Sequence, residues 1–395
     1  MSELETFRQQ TRAWLEENCP SSLRNMTTTA VEDYMCWGGK NWTFSSPDEK
    51  LWLDRMVDKG WTVPGWPTQY GGAGLSREET EILEQEMQSL NCPTPLTGFG
   101  IWMLGPALLQ FGNEELKQQH LPAIARGEVR WCQGYSEPGA GSDLADVRTK
   151  AEDKGDHYLV NGQKVWTSYG DKADAIFVLV RSNPDARKHL GISFVLADMN
   201  QPGIEVRPIT LISGTRDFCE VFFDDARVEK DQVVGEVNKG WDVAKYLLTH
   251  EREMQAGFGS QGDSQTLSDF ALHIFGDKEN LAASGMRDKI AEFEIDALAF
   301  DSTMNRFLSM AEAGESLGAN SSMLKYYGTE LNKRRAELMV DITGLDAANW
   351  DSTGPDGKSL PQTYLRTKGN SIEGGTTEVQ LNIMSKFLLG LPSGK

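Results

Sequence analysis

A glycine-rich turn is the first part of the sequence whose residue types could do chemistry. Residues 131–143 read WCQGYSEPGAGSD, so a strand-like run passes into a turn with two glycines, a proline and two hydroxyl side chains. Such a turn exposes backbone N–H groups and lets a ligand approach the backbone closely. An ordinary glycine-rich connection has the same composition, because Gly-x-Gly patterns are weak evidence. The turn alone leaves both interpretations open.

A tryptophan beside hydroxyl side chains marks the second segment, residues 161–170, which read NGQKVWTSYG. This arrangement at a strand end could be plain core packing. It could also supply a flat apolar wall with a hydrogen-bond donor beside it, which a flavin ring requires.

Charge and composition exclude several classes of function. The 395 residues include 58 acidic and 39 basic ones, for a formal net charge of −19. This surplus argues against non-specific binding of nucleic acid or of an anionic membrane, which require a positive field. Five scattered cysteines without a CxxC pair, and five histidines without an HxxxH or HExxH pair, indicate neither a disulfide framework nor a metal site. A small anionic ligand stays possible, since a few local arginines suffice to hold it.

The elements that must position these segments fall into three zones. Residues 1–128 and 237–395 have helical periodicity, and Ser76 with Glu79 forms a predicted capping box. Residues 129–236 instead contain short β-branched and aromatic runs with turn signals such as Asn161-Gly162 between them. The predicted strands are residues 157–165, 175–181, 192–197, 204–209 and 218–223. We expect an α + β + α fold: an N-terminal helical domain, a central antiparallel β barrel or sandwich, and a C-terminal four-helix bundle.

Neither a secretory signal nor a membrane-spanning segment is visible. The first eleven residues are polar and charged, and no run of 18 apolar residues occurs. We therefore expect a cytoplasmic protein without a membrane partner.

Four blocks of sequence, in order, resemble the acyl-CoA dehydrogenase family. They are Gly60-Trp61, PTQYGG at 67–72, the pair formed by residues 137–143 and 161–168, and GGTTEVQ at 374–380. The resemblance extends over nearly the whole chain and includes bacterial members, some of which are subunits of heteromeric α2β2 enzymes. One block could arise by chance, whereas four in sequence indicate the family.

The resemblance implies that FAD is the cofactor and that the glycine turn contacts it. Gln133, Tyr135 and Ser136 match positions at the flavin edge. Gly141 and Ser142 match positions near the flavin pyrophosphate, and Ser142 also matches one beside the CoA chain.

Two further pairs of residues match cofactor positions in the family. Trp166 and Ser168 match residues beside the isoalloxazine ring, with the hydroxyl near the hydride-accepting nitrogen. Thr376 and Glu378 match a helix start that binds the far end of the cofactor, where exposed N–H groups suit phosphate or ribose oxygens.

The implied reaction explains why a carboxylate is required. The family removes the α-proton and a β-hydride from an acyl-CoA thioester and passes electrons to an electron-transfer flavoprotein. Its base is a carboxylate in an apolar pocket, where desolvation raises the pKa towards neutrality. Preorganised donors stabilise the charge that develops on the thioester oxygen.

Two glutamates compete for the role of base. Glu251 matches the helix position used by branched- and long-chain relatives, and the adjacent Arg252 matches an arginine that holds CoA. Glu373 lies near the position of most straight-chain members, but the family pattern Glu-Gly-Thr is here Glu-Gly-Gly-Thr. The base position then holds Gly374, and a one-residue offset rotates a helical side chain by roughly 100°. Glu251 is favoured, although either glutamate could instead make a surface contact.

Two elements that reach into a neighbouring subunit's cofactor site in family homotetramers depart from the pattern. No arginine occurs between residues 261 and 283, and the later loop at 340–346 lacks the family glutamine and has one glycine. We therefore expect a homo- or hetero-tetramer, with a homologous partner chain as one hypothesis. A non-catalytic or half-site subunit, and a flavin oxidase or monooxygenase on the same fold, are the alternative functions.

Overall fold

The computed structural model describes residues 2–24, 36–256, 266–283, 285–312, 317–354 and 357–392. For residues 249–256, 282, 283, 308, 311 and 312 it describes the backbone only. The chain divides into two compact units. The first contains Met1–Ile209 with Asp217–Leu247, and the second contains Thr210–Arg216 with Leu248–Lys395.

Helices make up the first half of the first unit. They are α1 (Glu3–Asn18), α2 (Ser21–Arg24), α3 (Pro47–Asp58), α4 (Arg77–Ser89), a π-helical turn (Gly100–Leu104), α5 (Gly105–Phe111) and α6 (Glu114–Ala125). The capping box predicted for α4 is confirmed, because Ser76 Oγ accepts from the Glu79 N–H while the Glu79 carboxylate accepts from the Ser76 N–H. Leu15, Met56 and Leu83 lie fully inside the core of this region.

A seven-stranded mixed sheet completes the first unit. Its strands are β1 (Trp131–Gly134), β2 (Lys150–Asp153), β3 (His157–Ser168), β4 (Ala175–Arg181), β5 (Ile192–Asp198), β6 (Ile204–Ile209) and β7 (Phe218–Glu229). The order is β1-β4-β2-β3-β7-β6, with β5 paired to β4. All five predicted strands are therefore present. The interior consists mainly of β-branched side chains such as Ile176, Val195 and Val221.

The expectation of a purely antiparallel domain needs correction at β1. This strand pairs with β4 in parallel, with Trp131 opposite Ala175, and Lys150 of β2 also pairs with Arg181 of β4 in parallel. Parallel neighbours need a long crossover, and the chain from β1 to β4 supplies one because β2 and β3 intervene. The remaining strand pairs are antiparallel.

The second unit is helical, with more helices than the four expected. After the last turns of α7 (Gly240–Ala256), the described part contains α8 (Leu267–Phe275), α9 (Lys278–Ala283), α10 (Met286–Glu312), α11 (Asn320–Thr343), α12 (Leu360–Thr367) and α13 (Thr377–Phe387). The long helices α10 and α11 contribute Phe293, Phe300, Leu324 and Met339 to the hydrophobic core of this unit. In the residues that the structure describes, no helix is both long and apolar enough to span a bilayer.

Candidate functional site

The end of β1 is held against β3 by two hydrogen bonds. The carbonyl of Ser136 accepts from the Val165 N–H at 2.9 Å. The carbonyl of Tyr135 accepts from Lys164 Nζ at 3.0 Å. The two segments that the sequence singled out therefore lie side by side, although the bonded residues Tyr135 and Lys164 are 29 positions apart in the chain.

An internal ion pair fixes the start of the glycine turn. Lys164 Nζ lies 2.7 Å from Glu137 Oε1, and the two Glu137 oxygens also accept from the N–H groups of Arg148 and Thr149 at 2.7 and 2.9 Å. The backbones of Glu137 and Ala140 exchange two hydrogen bonds of 3.0 Å each. The turn is thus closed at its base, which leaves its tip free to face a ligand.

The ionisation of this pair follows from its burial. Burial lowers the pKa of Lys164 to about 8, although the Glu137 carboxylate opposes this change. Burial also raises the pKa of Glu137, but the Lys164 ammonium and the surrounding hydrogen-bond donors outweigh that effect and hold it below its ordinary value. The carboxylate therefore stays ionised at neutral pH and acts as an acceptor rather than as a base.

The tip of the turn is open. Gly141 and Ser142 are exposed, and a Cβ atom added at Gly141 would meet no atom of the described chain within 4 Å. A ligand can therefore approach the backbone at Gly141 without displacing a neighbour.

Trp166 projects from a strained bulge in β3. The register of β3 against β7 shifts between Lys164 and Thr167, and Trp166 has a φ of 62°. A left-handed backbone is costly for any residue with a side chain and persists where the surrounding structure enforces it, often at functional sites. The indole is 54% exposed and contacts the Phe218 ring edge-on, with centroids 6.0 Å apart. A large apolar ring is thus presented outwards.

The other residues predicted at the flavin edge differ in how accessible they are. Ser168 ends β3 and is half-buried. Gln133 is half-buried, with its amide nitrogen 3.8 Å from the sulfur of Met103. The ring of Tyr135, in contrast, is inside the sheet core, edge-on to Phe177 and Phe194. Ser136 is hydrogen-bonded to Val165, the neighbour of Trp166, whereas the Tyr135 side chain is buried in the core.

Of the two candidate bases, only Glu373 has a side chain that the structure describes. Glu373 is bound by Arg366 through contacts of 3.0 and 3.4 Å and by a short hydrogen bond from the Asn370 amide. Glu251 and Arg252 lie on α7, and their side chains fall outside the described part of the structure. The Glu373 carboxylate thus already forms a salt bridge with Arg366.

Thr376 caps α13, as a helix-start position requires. Its hydroxyl accepts from the Val379 N–H at 3.2 Å, and Gly374 and Gly375 precede it with φ values of 59° and 93°. Glu378 is exposed in the first turn. This end of α13 belongs to the second unit.

A hollow in the first unit contains an arginine that the sequence argument did not single out. The hollow is small, with a volume of about 10 Å³, which suffices for roughly one water molecule. Its lining includes Trp37, residues 96–101, Arg130, Trp131 and Tyr169. Arg130 is 8% exposed. Its guanidinium carbon lies 5.0 Å from the centre of the Trp37 ring and 5.5 Å from that of Tyr169. In the sequence, the position of Arg130 directly before a buried strand is the signal that would have indicated it.

Family models match the chain in three consecutive parts. The N-terminal domain model of acyl-CoA dehydrogenases matches residues 1–128, the middle domain model matches 132–226, and the C-terminal domain model matches 238–389. The chain belongs to the acyl-CoA dehydrogenase family. This establishes the resemblance inferred from the four sequence blocks.

Several relatives of this acyl-CoA dehydrogenase have names that describe them further. It is 34% identical over 397 residues to acyl-CoA dehydrogenase IpdE1 of Mycobacterium tuberculosis, covering 99% of each chain. Two solved structures, each 27% identical, are the Tcur3481-Tcur3483 steroid ACAD and the ChsE4-ChsE5 complex from Mycobacterium tuberculosis. They have TM-scores of 0.73 and 0.71, and the alignments cover 99% and 100% of this chain and 98% and 99% of theirs.

Membership of the acyl-CoA dehydrogenase family implies a flavin, and the described residues fit one. Trp166 offers an exposed flat ring, Ser168 a hydroxyl beside it, and Gly141 an approachable backbone. Together they supply the apolar wall, donor and close approach that a flavin ring with its phosphates requires.

Proposed function

We propose that this chain is an FAD-dependent acyl-CoA dehydrogenase that introduces an α,β double bond into a CoA thioester of a fatty acid or a steroid side chain. The main support is the exposed Trp166 indole on its strained bulge, beside Ser168 and the open tip at Gly141. Core packing does not account for a left-handed tryptophan that is 54% exposed. The names of the related enzymes support the substrate class.

Each residue group would have a distinct task. Trp166 and Ser168 would orient the isoalloxazine ring, with Gln133 and Ser136 along its edge, while Gly141 and Ser142 would approach the pyrophosphate. Thr376 and Glu378 would bind the far end of FAD from a helix start. When bound, the flavin supplies the acceptor for the β-hydride. The chain itself must position the thioester, exclude water and remove the α-proton.

We assign proton removal to Glu251. The competing Glu373 carboxylate is held by Arg366 and Asn370. It would have to break these contacts to reach a substrate. Arg252, next to Glu251, would hold the CoA portion.

An anaerobic acyl-CoA panel tests the reaction and the base together. The yellow flavin absorbance of the wild-type enzyme should bleach on addition of a substrate acyl-CoA. Glu251→Gln should slow bleaching on the order of a hundredfold to ten-thousandfold, the range of general-base catalysis, while retaining flavin. Glu373→Gln should bleach at a rate near that of wild type. Full activity in both variants would remove this assignment of the base, and absence of bleaching with every acyl-CoA would overturn the proposed reaction.

A heteromeric assembly is a second proposal, with electron-transfer flavoprotein as the electron acceptor. Two related structures are named as two-component proteins, and the loop at 340–346 lacks the family features that complete a neighbour's cofactor site. Ile295 and Leu298, one helical turn apart on α10, are 68% and 69% exposed and would be candidates for such an interface.

The assembly can be tested on the chain purified alone. We expect substoichiometric FAD and no stable homotetramer by light scattering, with full flavin loading only beside a homologous partner subunit. A stable, fully loaded homotetramer of the chain alone would contradict the heteromeric proposal. Oxygen consumption without an electron-transfer flavoprotein would instead favour the oxidase or monooxygenase reading.

A further inference from the structure

Gln380 is a buried amide in the first turn of α13. It is 1% exposed, and its amide nitrogen donates to the carbonyl oxygens of Gly374 and Gly375 at 3.1 and 3.3 Å. A buried amide is costly unless its polar atoms have hydrogen-bond partners. The two bonds therefore tie the glycine pair that precedes the helix to the helix itself.

Glycine is required at position 375 for this contact. Gly375 has a φ of 93°, and a Cβ atom added there would lie 2.4 Å from the Gln380 amide nitrogen. A side chain at this position would therefore displace the amide. Gly375 and Gln380 are matched to each other, although each alone has an ordinary place in the sequence.

The contact determines where the N–H groups of this turn point. The C=O and N–H of a trans peptide face opposite ways, and the described chain contains no cis peptide bond. Because the two glycine carbonyls face Gln380, the N–H groups of Gly375 and Thr376 face away from it. These two groups and the N–H groups of residues 377–378 have no acceptor among the described residues. Consecutive donors of this kind at a helix start suit the acceptor atoms of a ligand.

The segment before the turn is anchored independently. Lys325 on α11, whose side chain is fully buried, donates to the Asn370 carbonyl at 2.9 Å. Arg366 on α12 binds the Glu373 carboxylate. Loss of the Gln380 amide should therefore release the last residues before the helix and leave the rest of the unit in place.

The oxygen of the Gln380 amide is buried and has no hydrogen-bond partner among the described residues. An unpaired buried acceptor costs free energy. Exchanging the two ends of the amide would place this oxygen against two carbonyl oxygens, whereas an apolar side chain of the same length would avoid the cost. The hold on the glycine carbonyls, rather than the packing of α13, is thus what the glutamine provides.

We propose that Gln380 is a positioning residue for the adenosine diphosphate half of FAD, because its amide turns the N–H groups of Gly375 and Thr376 towards the cofactor. This inference rests on the proposed function for the identity of the cofactor. The side chain touches no cofactor atom itself and acts through the backbone of the turn.

The ratio of the FMN and FAD dissociation constants tests this role. FMN has the ring of FAD and one phosphate, but it lacks the adenosine end. The full-length enzyme is stripped of flavin and titrated with each form by calorimetry. We expect the wild type to bind FAD more tightly, and Gln380→Met to lower the ratio on the order of tenfold to a hundredfold, as the loss of oriented hydrogen bonds permits.

The ratio separates orientation of the turn from stability of the fold. A general loss of structure weakens both flavins alike and leaves the ratio unchanged. If Gln380 acts on the adenosine diphosphate half, FMN binding by Gln380→Met should instead stay within about twofold of wild type while FAD binding falls. Equal weakening of both flavins would overturn the proposal.

A second variant disturbs the same contact from the other side. The Cβ atom of Gly375→Ala displaces the Gln380 amide, so the ratio should fall here too. Gln362→Met is the matched control, at a half-buried glutamine on α12 of the same unit, and should leave the ratio unchanged. A wild type that binds FMN as tightly as FAD would overturn the proposal without any variant.

Flavin bleaching by acyl-CoA, measured beside the ratio, separates the possible failures. A ratio that depends on Gln380, in an enzyme whose flavin no acyl-CoA bleaches, would sustain the inference and sink the proposed reaction. Bleaching by an acyl-CoA together with an unchanged ratio in Gln380→Met would sustain the reaction and overturn the inference.

Discussion

Lys164 and Glu137 form a salt bridge inside the first unit, with Nζ and Oε1 2.7 Å apart and the lysine side chain fully buried. The pair joins the middle of β3 to the first residues of the glycine turn. Through the carboxylate it also holds the backbone of Arg148 and Thr149. One ion pair thus determines where the open tip at Gly141 lies relative to the Trp166 bulge.

Glu137→Gln should destabilise the protein by about 3 to 5 kcal/mol, because removing one partner leaves a buried ammonium without its counter-charge. Urea unfolding monitored by fluorescence measures the change. The matched control is Asp143→Asn in the same turn. Its ion pair with Lys188 is more than half exposed, so its loss should change stability far less than Glu137→Gln does. Equal, small effects for both variants would show that the buried pair does not hold the turn.

The burial of Lys164 also predicts an unusual dependence of stability on pH. Its pKa is about 8 in the folded chain against 10.5 for an ordinary lysine, so between these values the unfolded chain binds more protons than the folded one. Stability therefore rises with pH across this window. An exposed, salt-bridged lysine has a raised pKa and gives the opposite slope.

Comparing the wild type with Lys164→Met isolates the contribution of Lys164 to the pH dependence of stability. The free energy of unfolding of the wild type, minus that of the variant, should increase from pH 8 to pH 10.5. Lys154→Met serves as the control, since that lysine pairs with Glu152 near the surface. A difference that stays flat or falls over the window would contradict the lowered pKa of Lys164.

Local signals in the sequence predicted much of the fold. The capping box at Ser76 and the five β-branched runs required only neighbouring residues, and the structure contains all of them. The Asn161-Gly162 signal was wrong as a turn, because β3 continues through it with a register shift. Glycine is needed there for another reason: a Cβ at Gly162 would lie 2.6 Å from the Thr149 hydroxyl. Glycine is favoured both where another chain segment approaches the backbone closely and where a turn forms. The residue type alone therefore does not distinguish the two cases.

Features that depend on distant partners could not be predicted. In the sequence, Lys164 is an ordinary polar residue of a strand. Its partner Glu137 lies 27 positions away and becomes its neighbour only in the folded structure. The parallel pairing of β1 with β4 and the inward orientation of the Tyr135 ring depend on tertiary packing in the same way. Periodicity reports which face of an element is apolar, but not which element covers it.

Glu373→Gln should leave the rate of acyl-CoA turnover within about tenfold of wild type, because Arg366 already neutralises that carboxylate. The pair is 33% and 21% exposed at its two side chains, so its loss should cost only about 1 kcal/mol of stability. Arg366→Met is the matched variant, which removes the cation and leaves the carboxylate. A loss of more than about a hundredfold in Glu373→Gln, with the fold intact, would make Glu373 the base instead.

Trp166→Gly separates the two interpretations that the sequence leaves open for this tryptophan. Replacing it relieves a left-handed backbone, which stabilises by about 1 kcal/mol, and removes one edge-on contact with Phe218 of similar size. The free energy of unfolding of the flavin-free protein should therefore stay within about 1 kcal/mol of wild type, whereas flavin affinity should fall.

Asn91→Gly and Trp166→Phe complete that experiment. Asn91 has a φ of 52° at an exposed position away from the site, so its replacement should leave flavin affinity unchanged. Trp166→Phe keeps a flat ring and should retain most of the bound flavin. If Trp166 were core packing, its loss would cost about 3 to 5 kcal/mol. Such a cost, with flavin affinity intact, would refute the assignment of the indole as the wall of the flavin site.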